Sequence, residues 1–130
     1  MAHSYYDLLD MATEQDAFVD YDDMGWLEGA KGGWFPEYYL ILLRDDLTHV
    51  KQVCTLAHEL GHAVLGHRAD VAGWWSARQE RQADRWAAEL LISPEDYATA
   101  EALYGPHAGA LAAEFGVTVH MIQTWRSHRN

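Results

Sequence analysis

A chain of 130 residues with 49% hydrophobic content suits one domain, spanning 1–130, with a real apolar core and little room for disorder. Its charge of −11 is unevenly placed: residues 1–30 carry eight acids and no Lys or Arg (−8), and residues 31–130 carry twelve acids against nine bases (−3). Such a surface repels phosphate backbones, so direct DNA binding is disfavoured, and no apolar run approaches the length that spans a bilayer.

In chain order, residues 4–18 read as a short amphipathic helix with Tyr5, Leu8, Leu9, Ala12 and Phe18 inward. Asp20 to Asp23 reads as a loop, and Gly25 to Gly33 as a turn or hairpin. Tyr38-Tyr39-Leu40-Ile41-Leu42-Leu43, following Pro36, is the best strand candidate, and Asp45-Asp46 ends it. Thr48 is a good N-cap for the next helix, where Val50, Val53, Ala57, Leu60 and Val64 form one buried stripe and Gly66 a stop. Residues 67–75 read as a loop carrying Trp74 and Trp75, whose rings suit either a cleft rim or packing. Ser76-Ala77-Arg78-Gln79 reads as a capping box opening a helix over 77–91. Ser93-Pro94-Glu95-Asp96 starts another, with Ser as cap and Pro at the first position, ended by Gly105. Two short helices follow, near 107–115 and 119–127, parted by Gly116.

The central signal is His58-Glu59-Leu60-Gly61-His62. Residues four apart share a helix face, so both imidazoles can grip one ion, and Glu59 sits one step round, where its carboxylate can reach a water at that ion. A catalytic zinc needs a third protein ligand and an open fourth position. The spacing HExxHxxGxxH would require Gly and His where this chain has Leu65 and Arg68, so that pattern fails. His67, nine residues after His58, is about 180° round an ideal helix and reaches the ion only if the helix breaks at Gly66. The remaining candidate is Glu80. Glu80-Arg81-Gln82-Ala83-Asp84 has the ExxxD spacing of gluzincins, in which Glu80 ligates and Asp84, on the same face, accepts an N–H bond from a ligand histidine.

The stretch from Thr55 to His67, TLAHELGHAVLGH, followed by Glu80 to Pro94, ERQADRWAAELLISP, resembles the ImmA/IrrE family of metallopeptidases. That family typically shows an AHELGH helix and then an ExxA(N/D)xFAAxLLxP helix, and Trp86 stands here in place of the usual Phe. The resemblance covers roughly residues 37–127. It implies an α+β fold with a zincin-like core, mainly helical with a small sheet. It also implies Zn2+ as cofactor and a protein substrate that is a repressor or a similar transcription regulator. Many members of the family are phage or mobile-element proteins. An acidic N-terminus without the form of a signal peptide, together with a single cysteine, makes the cytoplasm the expected compartment.

Residues 111–127 also resemble a helix-turn-helix, with Gly116 at the turn, Thr118 as cap, Ile122 and Trp125 buried, and His120, Gln123, Thr124 and Arg126 outward. Only Arg126 and Arg129 are firmly cationic there, which suits a hairpin closing the core better than a DNA reader. Cys54, one turn before His58, reads as a small buried hydrophobe. A donor to the developing oxyanion is expected among Tyr38, Tyr39, His67 and Tyr104. Strand 38–43 is expected at a sheet edge lining the cleft, so that Tyr38, Tyr39, Leu40, Ile41 and Leu42 bind an extended substrate chain. Two rival readings are a non-catalytic regulator that binds and inhibits a repressor through the same scaffold, and a DNA-binding protein using residues 111–127 with zinc as a structural staple. The intact HExxH argues against both, since a structural site has no need of Glu59.

Overall fold

The computed structural model describes residues 3–68 and 73–129, without the side chains of Trp74 and Trp75. Among these residues it is an α+β fold: helices pack on one three-stranded sheet. Helix α1 (Tyr5–Glu14) opens with a reciprocal cap, Asp7 N–H donating to Ser4 Oγ at 3.1 Å and Ser4 N–H donating to Asp7 Oδ2 at 2.8 Å. It stops four residues short of the expected end because the chain reverses at Asp16, φ 57°. Strand β1 (Phe18–Tyr21) follows, occupying part of the span expected to be loop. The Asp22 carboxylate then accepts from the backbone N–H groups of Met24, Trp26 and Leu27, which winds the expected turn. Strand β2 is Gly32–Phe35, and β3 is Leu40–Leu43.

The sheet order is β1-β3-β2, with β3 parallel to β1 and antiparallel to β2. This corrects the expected edge strand. β3 is central: Ile41, Leu42 and Leu43 are all buried, the continuous apolar run of a strand covered on both faces. Its main-chain groups are already paired on both sides, so it has no edge to offer. Tyr38 belongs to the 3-10 turn Pro36–Tyr38, Tyr39 adopts a left-handed conformation, and both are exposed. The expected substrate contacts of Ile41 and Leu42 are therefore excluded by burial. Those of Tyr38, Tyr39 and Leu40 lose the edge strand on which they rested.

Helix α2 (His49–Val64) is capped by Thr48, whose Oγ1 accepts from Lys51 N–H, and packs Val53, Ala57 and Leu60 of its expected stripe into the core. Val50 is only half-buried and Val64, at the helix end, is exposed. Helix α3 (Gly73–Leu91) lies against α2. It begins earlier than expected, so Ser76 sits within its first turn rather than capping it. The loop expected over 67–75 lies partly outside the described residues, as do the Trp74 and Trp75 side chains. Gly61 permits the close crossing of the two helices. A methyl at Gly61 would stand 3.1 Å from the Ala83 carbonyl oxygen and 3.2 Å from its Cα. Helices α4 (Pro94–Tyr104, capped by Ser93), α5 (Ala108–Phe115) and α6 (Val119–Ser127, capped by Thr118) fall close to their expected spans. Leu56, Leu60, Leu91, Ile92, Leu111 and Ile122 form the centre of one shared core. No described helix is long and apolar enough to cross a membrane.

Candidate metal centre

Helix α2 places His58, Glu59 and His62 so that one ligand-type atom of each lies within 4.8 Å of the others. Helix α3 brings Glu80 over them. Its Oε1 is 3.1 Å from His58 Nε2, its Oε2 is 2.6 Å from His62 Nε2, and the two Nε2 atoms are 3.1 Å apart. Donor atoms around a tetrahedral zinc, at bond lengths of about 2.0–2.1 Å, stand roughly 3.3 Å apart, so this triangle is near the right size. Glu59 lies alongside and is 6% exposed.

The other nitrogen of each ring is also engaged. His58 Nδ1 is 2.8 Å from Asp84 Oδ1, the pairing expected from the ExxxD spacing. His62 Nδ1 is 2.9 Å from His67 Nδ1, and His67 Nε2 is 2.9 Å from Gln82 Oε1. His67 thus stands behind His62 and not among the converging donors. His120 of α6, which the sequence reading left pointing outward, places Nε2 3.3 Å from Asp84 Oδ2. Nothing in the spacing of a residue 36 positions beyond Asp84 signals that contact.

The electrostatics follow from crowding three carboxylates around two rings. Burial works against a charged His58, but hydrogen bonds to Asp84 and Glu80 outweigh it and push its pKa up to about 10. Glu80 is held well below the usual carboxylate range by its hydrogen bonds to His58 and His62. Burial alone would raise Asp84, yet the bond to His58 brings it down. Glu59 goes the other way: desolvation raises it to about 7 despite the two histidines. His67 is lowered from its ordinary value, first by desolvation.

Two clefts meet at this centre, sharing Gly32 and Glu59. One, of about 330 Å³, is walled by Trp26, Trp34, Phe35, His62, His67 and Glu80. The other, of about 510 Å³, is lined by Lys31, Lys51, Cys54, His58, Thr118 and His120. Of the expected oxyanion donors, His67 lines the first cleft and Tyr104 lines neither. Tyr38 packs on Trp26 with ring centroids 5.9 Å apart, and Tyr39 borders a separate hollow beside Phe18. Cys54 is buried, which pushes its thiol up, as befits a small core residue.

The helix-turn-helix-like segment is folded against this scaffold. Trp125 Nε1–H donates to the Ile92 carbonyl at 2.9 Å. Arg126, expected outward, donates to Tyr97 Oη at 2.7 Å and to the Pro106 carbonyl, and so is drawn back to the protein.

No curated protein matches this chain in sequence. Residues 9–124 match the profile of the IrrE N-terminal-like domain of the M78 peptidases. The match reaches further toward the N-terminus than the resemblance read from the two motif helices, taking in most of α1 and the whole sheet. The chain belongs to the IrrE N-terminal-like family of metallopeptidases.

Proposed function

We propose that this protein is a zinc-dependent endopeptidase of the cytoplasm in which His58, His62 and Glu80 hold the ion and Glu59 is the general base. The observation that carries this reading is the meeting of two Nε2 atoms and one carboxylate within 3.1 Å, with Glu59 buried beside them. Two imidazoles and a carboxylate are a donor set that zinc accepts while keeping one position open. The surplus of acid in the centre points the same way, since a site that drives His58 to bind a proton so firmly is a site that favours a cation.

Zinc, when bound, supplies the Lewis acid that polarises the scissile carbonyl and acidifies the attacking water. Glu59 takes the proton from that water and delivers it to the leaving amine. A buried carboxylate beside the ion is placed to hold that proton between the two steps. Asp84 orients the His58 ring by accepting its Nδ1 proton.

The substrate is an extended segment of another protein. With β3 central, the strand edge beside the centre is that of β2, running from Gly32 at Glu59 toward Phe35 and the ring of Trp26. Pairing to that edge demands extended chain, so the scissile segment is a linker or a locally unfolded stretch. From the family resemblance, the substrate is a repressor or a similar transcription regulator.

The test is co-incubation of the zinc-loaded protein with the repressor encoded nearest its gene, with mass spectrometry of the fragments. Wild type should cut between the partner's domains. Glu59→Gln should keep its zinc and lose activity by about 10²–10⁴-fold. A partner that binds tightly and stays intact would establish the non-catalytic regulator instead.

A further inference from the structure

Three helices of this protein end in the same way. After α1, α2 and α5, a residue with positive φ (Asp16, Gly66 and Gly116) reverses the chain. The following N–H then bonds back to a carbonyl five residues earlier: Ala17 to Ala12 at 2.8 Å, His67 to His62 at 2.9 Å and Val117 to Ala112 at 3.0 Å. This double-backed cap lays the residue after the turn against the one five positions before it, a contact that is usually apolar. In α1 and α5 it is apolar, Ala17 with Ala12 and Val117 with Ala112, all buried. In α2 the same two positions hold His67 and His62. A helix continued without the turn would carry position 67 about 140° round from position 62, out of reach.

The geometry points to His67 as a positioning residue that, with Gln82, fixes the proton of His62 on Nδ1 and leaves Nε2 free to ligate. An imidazole that gives its Nε2 lone pair to a cation keeps its proton on Nδ1. His62 Nδ1 faces His67 Nδ1 at 2.9 Å, so His67 Nδ1 accepts. The proton of neutral His67 is then on Nε2, which faces an acceptor, Gln82 Oε1, at 2.9 Å. Each donor in the line meets one acceptor. His67 is 8% exposed, so the line from His62 to Gln82 is held largely by the protein itself. The two ligand rings are therefore steered by different chemistry: a carboxylate for His58, and an imidazole backed by an amide for His62.

This inference rests on the metal-centre reading, and its test uses zinc itself rather than catalysis. Zinc affinity is measured by chelator competition for wild type, His67→Leu, His67→Asn and Gln82→Leu, with the His62 tautomer followed by nitrogen-15 NMR of the zinc-loaded proteins. His67→Leu keeps bulk but offers no acceptor, and its affinity should fall about 10–100-fold, the usual effect of removing a ligand's orienting partner. His67→Asn can place an oxygen near the lost Nδ1 and should recover most of that fall. Gln82→Leu alters an exposed position and should weaken zinc severalfold with the fold intact. Should His67→Leu fail to fold, Gln82→Leu decides: unchanged affinity overturns the assignment. Equal losses for His67→Leu and His67→Asn, or affinity within twofold of wild type in every variant, also overturn it while leaving the zinc site standing. A wild type that takes up no zinc brings down both readings.

Discussion

Helix α2 delivers His58, Glu59 and His62 from a segment whose neighbours Leu56, Ala57 and Leu60 are completely buried. Helix α3 delivers Glu80 and Asp84 from a run that also carries Arg78, Arg81 and Arg85, and the two acidic side chains are 57% and 32% exposed. Both helices pack at their crossing, Ala83 being as buried as Ala57, but α2 also buries its donor groups, while α3 holds its two acids at a wetter surface by hydrogen bonds to the histidines. A packed core resists displacement, whereas an exposed carboxylate can swing. Rigidity therefore sits with the imidazoles and the base, and adaptability with the acids that answer their charge.

The largest test of that contrast is the loss of a packed ligand. His62→Ala should abolish zinc binding, from about one ion per chain to none by elemental analysis, whereas Glu80→Asp, on the adaptable side, should still load zinc. The next effect concerns the base without its metal. Glu59 is raised from 4.5 to about 7, so its contribution to stability is complete below about pH 4.5 and is lost as pH rises through about 7. At about 1.4 kcal/mol per unit, this amounts to roughly 3 kcal/mol. Metal-free Glu59→Gln, which has no such proton to lose, should be more stable than metal-free wild type at pH 8 and show little advantage near pH 4. Denaturant unfolding in the presence of chelator checks this, and equal pH profiles would place Glu59 in a wetter setting than the one described.

Asp84→Ala comes third, with zinc affinity expected to fall about 10–100-fold as the His58 ring loses its partner. His120→Ala should do less, because His120 acts on the His58 ring through Asp84, at 3.3 Å, rather than holding the ring itself. The smallest effect is expected at the crossing of the two helices. Gly61→Ala gains up to about 1 kcal/mol of helix propensity but meets the Ala83 backbone at 3.1–3.2 Å. Its melting temperature should change by only a few degrees while zinc affinity drops, since the shift separates Glu80 from the histidines. Unchanged affinity would mean that α3 is as adaptable in its backbone as in its side chains.

The same contrast explains what could be read from the sequence. The middle of the α2 stripe, the caps at Thr48, Ser93 and Thr118 and the stops at Gly66, Gly105 and Gly116 were legible because each depends on neighbours within a turn, whereas Val64, where the helix runs out into solvent, was not. The convergence of His58, His62, Glu80 and Asp84 followed from helical spacing and from the family motif. The sheet was harder. β1 exposes Phe18 at 71% and Tyr21 at 44%, so no inward-facing alternation marks it, and its existence depends on pairing with Leu40–Leu43. The rank of β3 in the sheet depends on that same unseen partner. The angle of His67 round an ideal helix can be counted from the sequence, but the turn at Gly66 that folds it back onto His62 lies outside such counting. The bond from His120 to Asp84 joins helices with no local relation at all.

Gly32, at the mouth of both clefts, bears on how such a protein can change its trade over generations. A methyl group there would come within 2.6 Å of Thr55 Cγ2 and 3.2 Å of Glu59 Oε2. It would press on the wall of α2 beside the base and on the Leu42 carbonyl oxygen, also 3.2 Å away. A single substitution at Gly32 would therefore disturb Glu59 first, while the histidines and acids of the centre stay in the sequence. The motif would still advertise an enzyme. Gly32, outside the HExxH segment, is thus a residue on which the setting of Glu59 depends.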